Sequence, residues 1–391
     1  MTLIAERLAD LGHEVILSLA EPYAESIQHP GVKAEVIVDT ATFEGLIDDA
    51  QLWRPLRGAR KIFRFAADIF FETYIKVIEK YHDPGRTVLV QHPLDFASRA
   101  FRDAFPDTPL ATVHLAPSML RPASRPARMT PFWYEVRRPL WLRRFAELLV
   151  DQVLVDPVLN KTINRWLISH GCDPVRRFVD HWWVSPDKLL LMYPEWFAPE
   201  TSDVPHPIVH CGFPIANEQT SKPTQEILTQ TCQPWVFTAG TAHRHAREFF
   251  QRATDIICRR SSDAVFVCRY PDLLPNDLPS NIEVIEHTQL LTLFEHASLV
   301  MHHGGVGTTA RAVRSRTPQI IYPFAFDQFD NAARIQESGA GVWLKSLSHL
   351  EEAIDEALAL PAQTKKPWPD AAQIAASEIE RLAVSKFRRQ A

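Results

Sequence analysis

A run of histidine, glycine and threonine at residues 302–309 has the composition of an anion-binding turn. The sequence there is HHGGVGTT, and a short apolar strand, Leu299–His302, comes directly before it. Glycines let backbone amides approach an anion closely, and a helix that begins after them directs its positive end at the same point. His303 and Thr308 add side-chain donors, and Thr308 and Thr309 are expected to cap the helix. The run matches neither GxxxxGK[ST] nor GxGxxG, which disfavours a P-loop kinase and a standard nicotinamide enzyme.

A second polar pair follows the next predicted strand. Gln319–Tyr322 is apolar and ends at Pro323, and the loop after it carries Asp327 and Gln328. A carboxylate beside an amide at the carboxyl end of a strand can bracket vicinal hydroxyl groups, such as those of a sugar. The alternative is that Asp327 or Asn331 only caps the following helix.

The elements that must position these residues are short strands alternating with helices, which is typical of a parallel α/β sheet. Ten strands are predicted, at Val15–Leu19, Lys33–Val38, Thr87–Gln91, Leu110–Leu115, Leu189–Tyr193, Trp235–Thr238, Val265–Cys268, Ile282–Ile285, Leu299–His302 and Gln319–Tyr322. A Pro-rich passage, Pro194–Pro223, interrupts the alternation. We therefore predict an α/β chain with two facing Rossmann-like domains, residues 1–200 and 224–391, joined by a linker at 201–223. The C-terminal helix is predicted to return to the first domain.

Composition limits the class of protein. The 391 residues are 46% apolar and 23% charged with a net charge of −5, which describes a globular chain and argues against a dedicated nucleic-acid binder. Five cysteines include no CxxC pair, so a disulfide framework or a zinc ribbon is not expected. No apolar run is long enough to span a membrane, and no signal peptide is recognisable. We expect a soluble cytoplasmic protein without a metal ion or a cofactor.

One segment, residues 121–144, is unusually basic. It holds seven arginines and one acidic residue, Glu135, together with four aromatic residues. Such a stretch could lie peripherally on an anionic membrane at its inner face, or it could frame an apolar acceptor. The alternative is a solvated loop and helix whose aromatic side chains pack inward.

Together, the motifs resemble the donor-binding signature of bacterial nucleotide-diphospho-sugar glycosyltransferases with two Rossmann-like domains, the GT-B fold. In that signature an acidic residue and glutamine follow a histidine by 24 residues, and His303 and Asp327 have this spacing. The rhamnosyltransferase-B-like branch is the most similar, on the motifs FTAGTA (237–242), HHGGVGTT (302–309) and DQFDNAAR (327–334). RTVLV (86–90), LATVHLAPSML (110–120) and WWVSPD (182–187) extend the resemblance over essentially the whole chain.

The resemblance implies a donor site in the cleft between the two domains. His303 and Thr308, with Gly304, Gly305 and Gly307 around them, would hold the diphosphate of the donor. Asp327 and Gln328 would bind the sugar hydroxyls. Gly240 and Thr241 would face the diphosphate from the other side, although a plain helix start explains those two residues equally well.

The sequence departs from the family pattern in three places. Ile285 stands where many members have a tryptophan that stacks on uracil, and Arg311 stands where they have a glutamate that binds ribose. Both departures favour a deoxythymidine donor over a uridine donor. The chain also begins at a helix that normally follows a first strand and a His-Pro loop, so the N-terminus looks truncated and the family's base histidine would lie upstream of Met1. Asp95 is the candidate for the acidic residue that orients this base, and a helix cap is its alternative role.

The function implied is metal-independent, inverting transfer of a hexose or 6-deoxyhexose from a dTDP- or UDP-linked sugar to an acceptor hydroxyl, on a small molecule or a lipid. Two alternatives stay open. A truncated or helper protein would bind the donor without transfer, and a nucleotide-sugar 2-epimerase would act without an acceptor.

Overall fold

The computed structural model describes residues 1–54, 57–120, 127–128, 139–199, 207–216, 222–240, 246–364 and 366–387. The chain divides into two compact units, each described by itself. Within the described residues, unit 1 takes 1–127, 135–214 and 369–391, and unit 2 takes 128–134 and 215–368. Most of the basic segment, residues 121–126 and 129–138, lies outside the described residues.

Unit 1 contains two parallel sheets. Strands β1 (Val15–Ala20) and β2 (Val32–Val38) pair with each other, and the other four strands form a sheet of order β3-β4-β5-β6. These four are β3 (Leu89–Gln91), β4 (Leu110–His114), β5 (Lys188–Leu191) and β6 (Ile208–His210). The helices are α1 (Thr2–Asp10), α2 (Thr40–Asp48), α3 (Arg57–Phe65), α4 (Phe71–Tyr81), α5 (Phe96–Ala104), α6 (Leu140–Val150), α7 (Asp156–Ser169) and α14 (Ala371–Phe387).

Both faces of the four-stranded sheet are covered, as the apolar strands require. Alternate residues of β4 point to opposite faces. Ala111 and Val113 pack with α1 and α14, whereas Leu110 packs with α4, α5 and α7. The C-terminal helix α14 therefore belongs to unit 1, and its Glu378 forms an ion pair with Lys188 of β5 at 2.8 Å.

Unit 2 is built on one six-stranded parallel sheet of order β12-β11-β10-β7-β8-β9. Its strands are β7 (Trp235–Thr238), β8 (Ala264–Val267), β9 (Ile282–Ile285), β10 (Leu299–His302), β11 (Gln319–Ile321) and β12 (Val342–Trp343). Its helices are α8 (Lys222–Gln230), α9 (Arg247–Arg260), α10 (Leu290–Glu295), α11 (Val306–Ser315), α12 (Gln328–Glu337) and α13 (Leu350–Leu358). Helices cover both faces of the sheet and form two separate cores.

All ten predicted strands are present, and their ends agree within two residues. Strands β6 and β12 were not predicted from the sequence. Strand β6 lies inside the passage 201–223 that was predicted to be a linker, and it pairs with β5. Among the described residues, no helix is long and apolar enough to cross a membrane.

Candidate functional site

The strand order of unit 2 reverses between β7 and β10. Successive strands run outward from β7 to β9, and β10 then returns to the other side of β7. In open parallel sheets, ligands bind outside the carboxyl ends of the two strands at such a reversal. His302 at the end of β10 is the register partner of Thr238 at the end of β7. The loops that begin at Ala239 and His303 therefore start side by side.

These two loops are in contact. Gly240 has a φ of +82°, which favours glycine, and the imidazole of His303 lies against it. A Cβ atom at Gly240 would lie 2.7 Å from Cε1 of His303, and one at Gly305 would lie 2.3 Å from its Nε2. Because neither glycine has room for a side chain, the ring of His303 is held between them. Thr241, predicted to act with Gly240, lies outside the described residues.

Helix α11 begins directly after the glycine turn. Its N-cap is Gly305, and no side chain accepts a hydrogen bond there. The prediction that Thr308 or Thr309 caps the helix is therefore wrong, because both residues lie inside the first turn. Thr309 is buried, and its hydroxyl has no hydrogen-bond partner among the residues that the structure describes. The first-turn amides, including those of Gly307 and Thr308, have no intrahelical carbonyl to bond, and they form a binding place for an anion.

His302 fixes the shape of the turn. Its Nδ1 accepts a hydrogen bond from the amide of Gly304 at 3.1 Å, and its Nε2 lies 3.1 Å from Oε1 of Gln319. Burial lowers the pKa of His302 to about 4, so the ring is neutral at pH 7 and carries its proton on Nε2. From the sequence, His302 was predicted only to end the strand, and its role in the turn was not predicted.

A single asparagine joins the glycine turn to the second polar pair. Asn331, on α12, donates from Nδ2 to the carbonyl of Gly304 at 2.8 Å and to Oδ2 of Asp327 at 2.9 Å. A Cβ atom at Gly304 would lie 3.1 Å from the carbonyl oxygen of Gln328. The structure thus brings the two halves of the predicted motif together in unit 2, and Asn331 is a positioning residue that the sequence reading considered only as a cap.

Asp327 and Gln328 lie at the start of α12. Asp327 is at the N-cap position, but its side chain accepts no capping hydrogen bond from the helix. Burial raises the pKa of its carboxyl group to about 6. Oε1 of Gln328 accepts from the amides of Phe324 and Ala325 at 2.8 and 3.0 Å, which fixes the loop before the helix. Phe326, directly before Asp327, has a φ of +55°, a strained conformation for a residue with a side chain.

The positions that depart from the family pattern have structural roles in unit 2. Ile285 is 7% exposed at the end of β9 and belongs to the core. Arg311 donates from Nη1 to the carbonyl of Gly307 at 3.1 Å, one turn back along α11. Neither residue offers an aromatic face or a carboxylate.

Asp95 lies in unit 1, at the N-terminus of α5. Its two carboxylate oxygens accept hydrogen bonds from the amide of Ser98 at 3.0 Å and from its hydroxyl at 2.6 Å. The side chain therefore does cap the helix, the alternative considered from the sequence. Burial raises its pKa to about 6, and burial also lowers the pKa of the nearby His92 to about 4.

The described residues contain no group of three histidine, cysteine, aspartate or glutamate side chains that could hold a metal ion. The polar groups described at the strand reversal of unit 2 are backbone amides, hydroxyls, imidazoles, side-chain carboxamides and the carboxylate of Asp327. Such a set can bind a phosphate and a polyhydroxylated group next to it.

Comparison with known proteins agrees with this site. Residues 269–381 match the family model described as Erythromycin biosynthesis protein CIII-like, C-terminal domain. The elloramycin glycosyltransferase ElmGT of Streptomyces olivaceus is 30% identical over 149 residues, which are 37% of this chain and 37% of ElmGT. The chain thus aligns with well under half of the length of this curated relative.

Solved structures match the chain almost completely. The glycotransferase of kitacinnamycin has a TM-score of 0.68 at 16% identity and covers 99% of this chain and 91% of its own. The spinosyn rhamnosyltransferase SpnG has a TM-score of 0.61 at 19% identity, with 98% and 92% covered, and it has also been solved with thymidine diphosphate and with spinosyn aglycone. These structures confirm the predicted GT-B fold, and the similarity to ElmGT agrees with the predicted resemblance to bacterial glycosyltransferases.

Proposed function

We propose that this protein is a glycosyltransferase that moves a hexose or a 6-deoxyhexose from a nucleoside-diphosphate sugar to an acceptor hydroxyl. The observation that carries the proposal is the arrangement at the reversal of the unit 2 sheet. There the ring of His303 is held between Gly240 and Gly305, and Asn331 ties the same turn to Asp327. The names of ElmGT and SpnG support the same reaction class.

The donor would bind with its diphosphate at the start of α11. The first-turn amides and His303 would donate to the phosphate oxygens, with Thr308 as a further donor. Gly304, Gly305 and Gly307 would leave the backbone accessible. The carboxylate of Asp327 would accept hydrogen bonds from the sugar hydroxyls, and the side-chain amide of Gln328 would donate hydrogen bonds to them. Gly240 and Thr241 would complete the diphosphate site.

The reaction would be an inverting displacement. The acceptor oxygen forms a bond to the anomeric carbon while the bond from that carbon to the diphosphate oxygen breaks, and the acceptor proton passes to a base. The helix amides and His303 would stabilise the negative charge on the leaving diphosphate, which needs no metal ion. Asp95 is proposed as the acidic residue on the acceptor side, in addition to its capping role.

The finer assignments are proposals as well. A deoxythymidine donor is favoured over a uridine donor because Ile285 and Arg311 replace the groups that would recognise uracil and ribose. SpnG has been solved with thymidine diphosphate, which supports the same preference. The acceptor is proposed to be an apolar small molecule or a lipid, and the protein is proposed to be cytoplasmic with peripheral membrane contact through residues 121–144.

The test is product formation with and without an acceptor. Purified protein is incubated with dTDP- and UDP-sugars and a panel of apolar alcohols, and the products are identified by mass spectrometry. A glycoside that forms only with an acceptor supports the proposal. An epimerised donor formed without acceptor would replace it with the epimerase, and donor binding with neither product would replace it with the helper protein.

A matched pair of variants locates the donor site. H303A should weaken binding of thymidine diphosphate about tenfold or more, because a hydrogen bond to a charged group contributes about 1.5–3 kcal/mol. H349A, which removes an exposed histidine of the same unit, should leave it unchanged. Equal binding by both variants would remove His303 from the site.

A further inference from the structure

Helix α6 and the π-helical turn that continues it, Asp151–Val155, expose apolar side chains to solvent. Trp141, Phe145, Leu149 and Val153 are 69%, 52%, 44% and 63% exposed. They are spaced four residues apart, so they lie in one row along the helix. We call this row the apolar ridge.

The opposite side of the same segment buries charged groups. Arg143 is 7% exposed and forms an ion pair with Glu147 at 2.7 Å, and Asp151 is fully buried. None of the apolar side chains described in α6 is buried. An ordinary surface helix has the reverse arrangement, with its apolar side on the core. Since the described residues of unit 1 leave the apolar ridge exposed, the polarity of α6 indicates that the ridge has a partner outside them.

Cationic side chains lie on the neighbouring helix. Helix α3 packs against the turn Asp151–Val155, and its Arg57, Arg60 and Arg64 are exposed at intervals of three and four residues. Arg144 is exposed on α6 itself, beside the ridge. The exposed acidic residue nearest in sequence to the arginines of α3 is Asp68, and Glu147 of α6 forms an ion pair with Arg143. The partner that complements an apolar ridge beside exposed arginines is both apolar and anionic.

We propose that the apolar ridge inserts into the headgroup region of an anionic lipid bilayer, with the arginines of α3 and Arg144 on the lipid phosphates. Tryptophan and phenylalanine partition to this region of a bilayer, and a basic surrounding strengthens binding to anionic lipid. The proposal rests on the peripheral membrane contact proposed above and names the surface that makes it, but it does not depend on the transferase reaction, because it concerns lipid binding by unit 1 alone.

A second copy of the chain fits the ridge less well. The four side chains expose on the order of 400 Å² per copy, so a symmetric pair would bury less than the roughly 1,200 Å² at the low end of stable interfaces. Pairing two ridges would also bring exposed arginines of the two copies toward each other, without acidic residues on the ridge to offset them.

The test is flotation of the full chain with vesicles of phosphatidylcholine alone and of phosphatidylcholine with about one third phosphatidylglycerol. We expect binding to the anionic vesicles at low salt and a steep loss as salt rises, because screening shortens the reach of the arginines. W141S/F145S should weaken binding about tenfold or more, since it removes the two aromatic anchors. R57Q/R60Q/R64Q should weaken it by a similar factor and flatten the salt dependence.

V284S/V384S is the control, because it changes two other exposed apolar residues, which are 43% and 48% exposed. It should bind vesicles as the unmodified protein does. The proposal is overturned if the unmodified protein fails to float with anionic vesicles at low salt, or if W141S/F145S binds as the control does. A dimer that W141S/F145S dissociates, in a protein that binds no vesicles, would assign the ridge to a second copy instead. Vesicle binding and glycoside formation are measured separately, so either proposal can fail alone.

Discussion

The ring of His303 can be displaced without touching the histidine itself. Gly305 has a φ of −59°, which any residue adopts, so alanine there adds no backbone strain. The Cβ atom of an alanine at position 305 would lie 2.3 Å from Nε2 of His303. Non-bonded atoms do not approach this closely, so the imidazole ring must move. G305A therefore tests the position of His303 specifically.

The size of the effect follows from the bond that is lost. A hydrogen bond to a charged phosphate contributes about 1.5–3 kcal/mol, and each 1.4 kcal/mol is a factor of ten. We expect G305A to weaken binding of thymidine diphosphate roughly 10- to 100-fold in isothermal titration calorimetry. The midpoint of thermal unfolding should change little, because the atoms that must shift are at the end of a side chain and not in the backbone.

Two comparisons make the reasoning refutable. G45A places alanine in helix α2, where nothing lies within 4 Å of the new methyl group, and it should leave ligand binding unchanged. In the double variant G305A/H303A, the loss should be no larger than in H303A alone, because both changes remove the same interaction. Losses that add, or normal binding by G305A, would refute the idea that Gly305 acts through the ring.

Three further outcomes are expected. Burial raises the pKa of Asp327 from 3.8 to about 6, so the folded state holds this proton more tightly than the unfolded state, and stability should fall as pH rises from about 4 to 6. D327N should flatten this part of a plot of unfolding midpoint against pH, raise stability at pH 7 and abolish activity. An unchanged plot would contradict the raised pKa. N331A should lower the free energy of unfolding by about 1–3 kcal/mol in urea, because it leaves the carbonyl of Gly304 buried without its donor, and it should also weaken nucleotide binding; normal nucleotide binding would show that Asn331 does not position the turn. R334M should lower the free energy of unfolding by about 3–5 kcal/mol, because it leaves Asp330 buried without its ion pair to Arg334 at 2.6 Å. R334M/D330L should recover much of this loss in the same urea assay. A double variant no more stable than R334M would argue that the ion pair does not stabilise the fold.

The strands were predictable because their side chains face a core on both sides. Segments such as Trp235–Thr238 and Leu299–His302 are apolar at every position except the last, and the structure gives them these same ends. Strand β6 was hidden because its three residues, Ile208–His210, lie among prolines, where composition indicates a loop. Strand β12 has only two residues, Val342 and Trp343, too few for any periodicity to be seen.

The residues of the site could be predicted from their spacing in the sequence, but the hydrogen bonds between them could not. His303 and Asp327 could be paired only through the family pattern. That Asn331 connects their loops depends on the side-by-side pairing of β10 and β11, which a linear sequence does not reveal. The capping roles of Thr308 and Thr309 were predicted wrongly because the N-cap is Gly305, three residues before Thr308 and four before Thr309.

The return of α14 to unit 1 has a consequence for how the chain is made. Its alanines, Ala372, Ala375 and Ala376, cover the same face of the sheet as Ile4 and Leu8 of α1. Unit 2 lies in the sequence between the strands of unit 1 and α14, so all of its residues are synthesised before the helix that completes unit 1. At synthesis rates of about 5–20 residues per second, the stretch from β6 to the end of α14 takes roughly 10–35 s. During that interval α1 alone covers this apolar face of the N-terminal sheet, and the core of that face is completed when α14 packs on it.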